Sequence, residues 1–333
     1  MSPTRSAEQS QPPAPAPAPT VAGAGGPEVP TPSPAIHTLE LSKRYRRTVA
    51  LAGLSMSVRR GEVFGFLGPN GAGKTTAVKL LLGLARPSGG GAMVLGAPAG
   101  DLETRRRIGY LPELFRFQGW LSAREVLLLH CRLIGLPRAS WPDAVDEALE
   151  TVGLAERGQD RVVGFSKGMQ QRLGLGVALL GEPELVVLDE PTSALDPIGR
   201  HDVREIIAAL RRRGATVFLN THLLEEVEHV CDRVAVIDRG QTIATGSLAE
   251  LVGERSVVRL QVSGLGDCWW DRLGGPGFGT FRREGPWVVV DAIAPSRVPE
   301  LVRAVVDLGG EVAAVVPEHR SLESRFLELL AVR

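Results

Sequence analysis

Residues 62–75 read Glu62-Val63-Phe64-Gly65-Phe66-Leu67-Gly68-Pro69-Asn70-Gly71-Ala72-Gly73-Lys74-Thr75. We predict a buried strand over residues 61–67, a glycine-rich loop, and a helix over residues 75–84, which is the context that a phosphate-binding loop requires. The competing interpretation is a glycine-rich turn before an ordinary helix. Glycines allow backbone N–H groups to converge on phosphate oxygens without an obstructing Cβ atom. In such a loop Lys74 reaches the β- and γ-phosphates of a nucleoside triphosphate, and the Thr75 hydroxyl holds Mg²⁺.

A second apolar run, residues 185–188, ends in the carboxylate pair Asp189-Glu190. A buried strand with this ending is typical of the strand that organises Mg²⁺ in nucleotide hydrolases. Asp189 would bind the metal through water, and Glu190 would polarise the attacking water. Taken alone the pattern is as often structural, but its position after a phosphate loop favours the functional interpretation.

A third segment, residues 165–172, stands directly before an apolar helix and contains Ser166 and Gly168. Ser166 is a good N-cap residue, which is its ordinary structural role. The same helix N-terminus could instead face a phosphate group. The residues by themselves leave both interpretations open.

These three segments, in this order, resemble the nucleotide-binding domain of the ABC ATPase superfamily. The segment Phe165-Ser166-Lys167-Gly168-Met169 departs from the family signature Leu-Ser-Gly-Gly-Gln at three of five positions but keeps Ser166 and Gly168. Tyr45 matches the aromatic residue that stacks on adenine, Asp196 the loop that signals between two domains, and His222 the switch histidine. The resemblance covers residues 37–255.

Several expectations follow from this resemblance. It implies a P-loop NTPase core with a mostly parallel sheet, an antiparallel β subdomain, and a helical subdomain inserted over residues 113–180. The α/β class with a largely parallel sheet also follows from the alternation of predicted strands and helices. ATP and Mg²⁺ are the expected cofactors, and Glu190 and His222 the expected catalytic residues. The expected nucleotide-binding residues are Tyr45, Gly68, Asn70, Gly71, Ala72, Gly73, Lys74, Thr75 and Thr76.

The resemblance also implies partners. Two nucleotide-binding subunits, expected to be identical, would close head to tail, so that Phe165, Ser166, Lys167, Gly168 and Met169 act on the ATP of the partner. A separate integral membrane permease would supply the transport path, and the chain would lie at the cytoplasmic face of the cell membrane.

One position departs from the family pattern. Glu113, in the segment Tyr110-Leu111-Pro112-Glu113, aligns with a glutamine of the family and joins Thr75 and Asp189 as a further candidate metal ligand. This segment and the altered signature are similar to the bacterial exporter subgroup of drug pumps and sodium extruders. The resemblance therefore favours export.

Bulk properties limit the remaining classes. Basic and acidic residues both number 38, so the chain lacks the basic surplus of a general nucleic-acid binder, and we expect no nucleic-acid partner. No apolar run approaches the roughly 18 residues that a membrane span needs. Two rivals stay open: an ABC ATPase that acts on ribosomes or DNA, and a phosphate-loop kinase or GTPase, which would leave the signature and His222 unexplained.

Composition also divides the chain. Residues 1–36 hold ten of the 24 prolines, and we expect a disordered tail there. Residues 256–333 read as alternating short strands and helices, which predicts a small α+β accessory module compatible with a ferredoxin-like arrangement. The sequence does not indicate what this module does, or which substrate is transported.

Overall fold

A computed structural model describes residues 33–252, 256–273, 278–318 and 322–331. Its largest feature is a ten-stranded sheet in the spatial order β5-β4-β1-β2-β10-β9-β3-β8-β7-β6. The strands are β1 (Ile36–Tyr45), β2 (Thr48–Val58), β3 (Val63–Leu67), β4 (Gly89–Val94), β5 (Ala97–Pro98), β6 (Ile108–Leu111), β7 (Leu185–Asp189), β8 (Thr216–Asn220), β9 (Arg233–Asp238) and β10 (Gln241–Ser247).

The half of this sheet that carries the predicted site is parallel. Strand β3 pairs in parallel with β8 and β9, and β7 pairs in parallel with β6 and β8. Every residue of β3, β7 and β8 is buried, as expected for parallel strands covered on both faces. Alternate side chains enter separate cores: Val63 and Leu67 join one hydrophobic cluster, whereas Phe64 and Phe66 join the other. The predicted α/β class is therefore confirmed.

The helices of this part are α1 (Lys74–Leu81), α2 (Leu102–Arg105), α3 (Ala123–Ile134), α4 (Trp141–Thr151), α5 (Lys167–Leu179), α6 (Pro197–Arg212), α7 (Leu224–Val230) and α8 (Leu248–Val252). Helices α3, α4 and α5 contact one another and form the helical insertion. Helix α3 begins with a capping box, in which the Ser122 hydroxyl accepts from the Glu125 N–H and the Glu125 carboxylate accepts from the Ser122 N–H.

Some boundaries differ from those that the sequence predicts. The sequence predicts a helix over residues 75–84, whereas helix α1 spans Lys74–Leu81. Helix α3 ends at Ile134, where Gly135, with a φ of 79°, closes it in the left-handed conformation. Ala35 and Ile36 were assigned to the tail, but both are fully buried, and Ala35 donates its N–H to the carbonyl of Val58. Residues 1–32 of the expected tail lie outside the described residues.

A second sheet has four antiparallel strands in the order β12-β13-β11-β14. These are β11 (Ser256–Ser263), β12 (Thr280–Glu284), β13 (Trp287–Ile293) and β14 (Glu311–Glu318), with α9 (Val298–Asp307) against them and α10 (Leu322–Ala331) at the end. A ferredoxin-like β-α-β-β-α-β unit would have a helix after its first strand. Here a short 3₁₀ segment, Trp269–Leu273, stands at that place. Within the described ranges, no helix is both long and apolar enough to cross a bilayer.

Candidate functional site

The glycine loop runs from the end of β3 into α1, as the sequence predicts. Gly71 and Gly73 have positive φ angles of 81° and 105°, which side chains other than glycine rarely adopt. A Cβ atom on Gly68 would lie 2.3 Å from the carbonyl oxygen of Ile237, and one on Gly73 would lie 2.4 Å from that of Ala50. The turn therefore needs glycine for backbone conformation and for close packing. Ala72 is buried, Asn70 and Thr75 are exposed, and Thr76 is half-buried.

Lys74 is the cation of this loop and is 9% exposed. Its Nζ atom donates to the carbonyl of Gly68 at 2.6 Å and to that of Pro69 at 3.3 Å. Burial lowers the pKa of Lys74, whereas the nearby carboxylates of Glu190, Asp189 and Glu113 act in the opposite direction. The ammonium group is thus held inside the loop, at the place where an anion would meet it.

Asp189 ends β7 and lies opposite Asn220, which ends the neighbouring strand β8. The Asn220 side-chain amide donates to Asp189 Oδ1. Burial raises the pKa of Asp189, and the charges of Glu113 and Glu190 raise it further, against the effects of Asn220 and Lys74. The ionised carboxylate is therefore short of positive charge in this position.

Glu190 follows with a left-handed backbone, at a φ of 53°. Its side chain is fully engaged. Oε1 accepts from the backbone N–H of His222 at 3.0 Å and lies 2.7 Å from His222 Nδ1, and Oε2 accepts from the Thr221 hydroxyl at 3.3 Å. The carboxylate is 9% exposed, whereas the imidazole of His222 is 55% exposed. The structure therefore joins the two predicted catalytic residues directly.

Glu113 follows β6, at the edge of the same cluster. It is exposed, yet its charge acts on Lys74 and on Asp189. Tyr110, on β6, is also beside the cluster, since burial, with smaller effects of Asp189 and Glu113, raises its pKa to about 12.

The predicted signature segment stands at the N-terminus of α5. The Ser166 hydroxyl accepts from the Met169 N–H at 3.2 Å, which is its capping role. Ser166 and Lys167 are exposed, Gly168 and Met169 are half-buried, and Phe165 is buried. A Cβ atom on Gly168 would meet its nearest neighbour, Leu195 Cδ2, at 3.4 Å, an ordinary contact. Packing within the chain therefore does not require glycine at this position.

Two predicted residues make other contacts within the chain. Tyr45 ends β1 with 44% of its surface exposed, and the Lys43 ammonium lies 4.8 Å from the centre of its ring. Asp196 caps α6, where its Oδ1 accepts from the Gly199 N–H at 2.8 Å.

Three polar residues at the carboxyl ends of these strands were not predicted from the sequence. The Asn220 amide donates to Asp189, and the Thr221 hydroxyl donates to Glu190. Tyr110 lies near the carboxylates of Asp189 and Glu113. Asn220 could have been found from its position at the end of an apolar run, because side chains at the carboxyl ends of parallel strands meet at one edge of the sheet.

The donor set fits a hard divalent cation. Thr75 and Asp189 offer oxygen ligands, and Mg²⁺ is usually bound by one or two such side chains together with substrate phosphates. Across the part of the chain that the structure describes, no three His, Cys, Asp or Glu residues are grouped as a self-sufficient metal site.

Comparison with known proteins agrees with this geometry. Residues 51–193 match the family model "ABC transporter". An uncharacterised ABC transporter ATP-binding protein of Nostoc sp. is 45% identical over 68% of this chain and 70% of that protein. The Nod factor export ATP-binding protein I of Burkholderia orbicola is 40% identical over 64% of this chain and 70% of that protein. This chain spans 64% to 75% of the length of curated relatives such as these.

Solved structures give the same result. A structure described as the ATP-binding subunit of an ABC transporter superimposes with a TM-score of 0.61 at 32% identity, over 65% of this chain and 91% of that one. The chain belongs to the ATP-binding proteins of ABC transporters, a family that hydrolyses ATP to drive transport.

Proposed function

We propose that this chain powers an exporter by closing with a second copy of itself on two ATP molecules. Each ATP is held by Lys74, Thr75 and Tyr45 of one subunit and by Ser166 and Gly168 of the other. The observation that carries the proposal is Gly168. It is the second residue of α5, and no contact among the described residues requires it to lack a side chain. A phosphate that approaches from outside the chain supplies the missing reason.

Hydrolysis in this proposal uses the carboxylate cluster. Glu190 orients and polarises the attacking water, and His222 holds the γ-phosphate or the leaving phosphate. Thr75 and Asp189 hold Mg²⁺, with Glu113 beside them, and the metal neutralises phosphate charge when it is bound. The His222 Nδ1 atom lies 2.7 Å from Glu190 Oε1, so Nε2 is the ring nitrogen that would contact a phosphate.

The helical insertion offers a surface for the membrane subunit. Leu114 is 87% exposed, Trp120 71% and Val163 77%. The Val163 N–H donates to the carbonyl of Gly119 at 3.0 Å, which brings the segment after Glu113 against the start of the signature. Large exposed apolar side chains such as Trp120 and Val163, whose segments meet at the Gly119 carbonyl, favour an interaction site here. We place the permease here, and hence the chain at the cytoplasmic face of the membrane as a peripheral subunit.

Export is supported by the name of the Nod factor export relative and by the Tyr-Leu-Pro-Glu segment that ends at Glu113. Purification of the chain from its native membrane tests this part. We expect a hydrophobic integral membrane protein to accompany it. Ribosomes or DNA in its place would contradict the transporter assignment.

A mixing experiment tests the shared site. Lys74→Ala damages the phosphate loop and Gly168→Ala the signature, and each homodimer should be nearly inactive. A mixed dimer contains one site in which both parts are intact, because the intact loop faces the intact signature of the other subunit. The mixture should therefore regain ATPase activity. If the mixture is no more active than either variant alone, while cross-linking shows mixed dimers, each site is built within one chain and the proposal is wrong.

A further inference from the structure

The last helix, α10, is joined to the ATPase core rather than only to the module that precedes it. Leu322 is 1% exposed and belongs to the same hydrophobic cluster as Val227 of α7, and Phe326 packs against that cluster. Helix α10 lies against α7 and α8. The end of the chain is thus part of the wall of the nucleotide-binding domain.

A polar contact fixes the same junction. The Leu322 N–H, at the start of α10, donates to Glu228 Oε1 of α7 at 2.5 Å. A carboxylate at a helix N-terminus is favoured both by the charge-assisted hydrogen bond and by the helix dipole. Helix α10 therefore contacts α7 through one apolar and one charged interaction.

Helix α7 depends on such contacts for its position. It has seven residues and no side-chain N-cap, and a helix this short is not stable on its own. Its inner side is fixed by Val227, which is fully buried and lies close to Gly65 of β3.

The N-terminal end of α7 leads directly to the catalytic carboxylate. The Leu223 N–H donates to the Thr221 hydroxyl at 3.1 Å, and that hydroxyl donates to Glu190 at 3.3 Å. His222 lies between these residues and binds Glu190 through its own N–H. A shift of α7 would therefore displace both groups that hold Glu190.

We propose that Leu322 and Glu228 are positioning residues for hydrolysis: α10 holds α7 in the register that keeps His222 and Thr221 on Glu190. The proposal rests on the catalytic role given above to Glu190 and His222. It assigns the end of the accessory module a part in setting the turnover rate, without any contact to nucleotide.

The test uses the full-length chain. ATP turnover at saturation and ATP affinity are measured separately for Leu322→Ala and Glu228→Ala, with Leu327→Ala, 59% exposed on the same helix, as the matched control. We expect the two positioning variants to lose turnover by about tenfold to a hundredfold, the scale of a misplacement of about 1 Å. ATP affinity and the control should be unchanged, because the phosphate loop is not touched. Glu228→Gln keeps an acceptor for the Leu322 N–H and should recover most of the loss, and it carries the test if Leu322→Ala does not fold.

A second background separates positioning from general damage. In a Glu190→Gln chain, the Leu322 and Glu228 substitutions should cause no further loss of the residual turnover, because the carboxylate that they position is gone. The inference is wrong if these substitutions cause a further loss of turnover in this background. It is also wrong if Leu322→Ala and Glu228→Ala leave turnover unchanged in the otherwise normal chain, or if their loss of turnover is matched by a loss of ATP affinity. If Glu190→Gln itself hydrolyses ATP at the normal rate, the proposed role of Glu190 fails instead, and the two failures are thereby distinguished.

Discussion

Replacing Gly168 with alanine should make the protein more stable and nearly inactive. Gly168 is the second residue of α5 and does not have a positive φ angle, so alanine fits its backbone. The added Cβ would lie 3.4 Å from Leu195 Cδ2, 3.9 Å from Ser166 Oγ and 4.0 Å from the carbonyl oxygen of Ala194. None of these contacts requires a neighbour to move.

Alanine in place of glycine within a helix stabilises it by about 0.5–1 kcal/mol. For a chain of 333 residues that corresponds to a rise in Tm of roughly 1 °C. The methyl group would occupy the space that the proposed function gives to a phosphate of the partner's ATP. Loss of one donor to a transition-state oxyanion costs on the order of 10²–10³ in turnover, and we expect a decrease on that scale.

Gly176→Ala is the matched control, because it lies in the same helix, far from the signature. Its Cβ would lie 3.5 Å from the nearest atom, a methyl group of Val152. Thermal unfolding and phosphate release are measured for both variants. Both should unfold at a higher temperature, and only Gly168→Ala should lose turnover. Normal turnover in Gly168→Ala would refute the placement of a phosphate at this helix, and a lower Tm would refute the packing argument.

Three further substitutions test the carboxylate cluster and the loop. Glu190→Gln should bind ATP, accumulate as a nucleotide-bound dimer in size-exclusion chromatography, and lose turnover by about 10²–10⁴, the range for a positioned acid or base; turnover at the normal rate would remove Glu190 from that role. Lys74→Ala should raise the Kd for ATP by about tenfold to a hundredfold, as expected for a lost charged hydrogen bond, and an unchanged Kd in a titration would contradict the loop assignment. Asp189→Asn should raise the free energy of unfolding at neutral pH in the absence of Mg²⁺. Because the pKa of Asp189 is raised in the folded protein, ionising this carboxylate destabilises the fold as the pH rises from the ordinary aspartate pKa through the raised one. The amide cannot ionise, so the variant does not lose this stability. Denaturant unfolding at several pH values checks this, and an equal pH dependence in both proteins would contradict it.

Local chemistry explains why the glycine loop was predictable from the sequence. The positive φ angles at Gly71 and Gly73 and the close approach at Gly68 each demand glycine, and the apolar run of β3 precedes them directly. The buried strands β7 and β8 were predictable for the same reason, since strands covered on both faces are apolar throughout. The bounds of the antiparallel strand β1 are harder to predict from sequence, because register shifts between Thr38 and Leu41 interrupt its alternation.

The conformation of Glu190 could not be predicted in this way. A glutamate at a φ of 53° is strained and persists only where its surroundings determine it. Its N–H donates to the carbonyl of Asn220 at 2.8 Å, and its own carbonyl accepts from the Ser193 hydroxyl at 3.1 Å. These partners are distant in sequence or lie in the following turn, so the strain becomes visible only when β7 and β8 are paired.

The charges at the site explain why the strain is useful. The charges of three carboxylates, those of Glu113, Asp189 and Glu190, act on one ammonium group, that of Lys74, so negative charge is in excess among these four side chains. Because its backbone is left-handed, Glu190 leaves the direction of β7, and its carboxylate meets Thr221 and His222. The adjacent Asp189 binds Asn220 instead, so the two carboxylates have different hydrogen-bond partners. In the proposed function Asp189 serves the cation, and Glu190 contacts water through a lone pair that its partners Thr221 and His222 do not use. Glu113 adds to this excess at a position where the family pattern has a neutral amide, and we therefore expect ATP binding by this chain to depend more strongly on Mg²⁺ than that pattern alone would require.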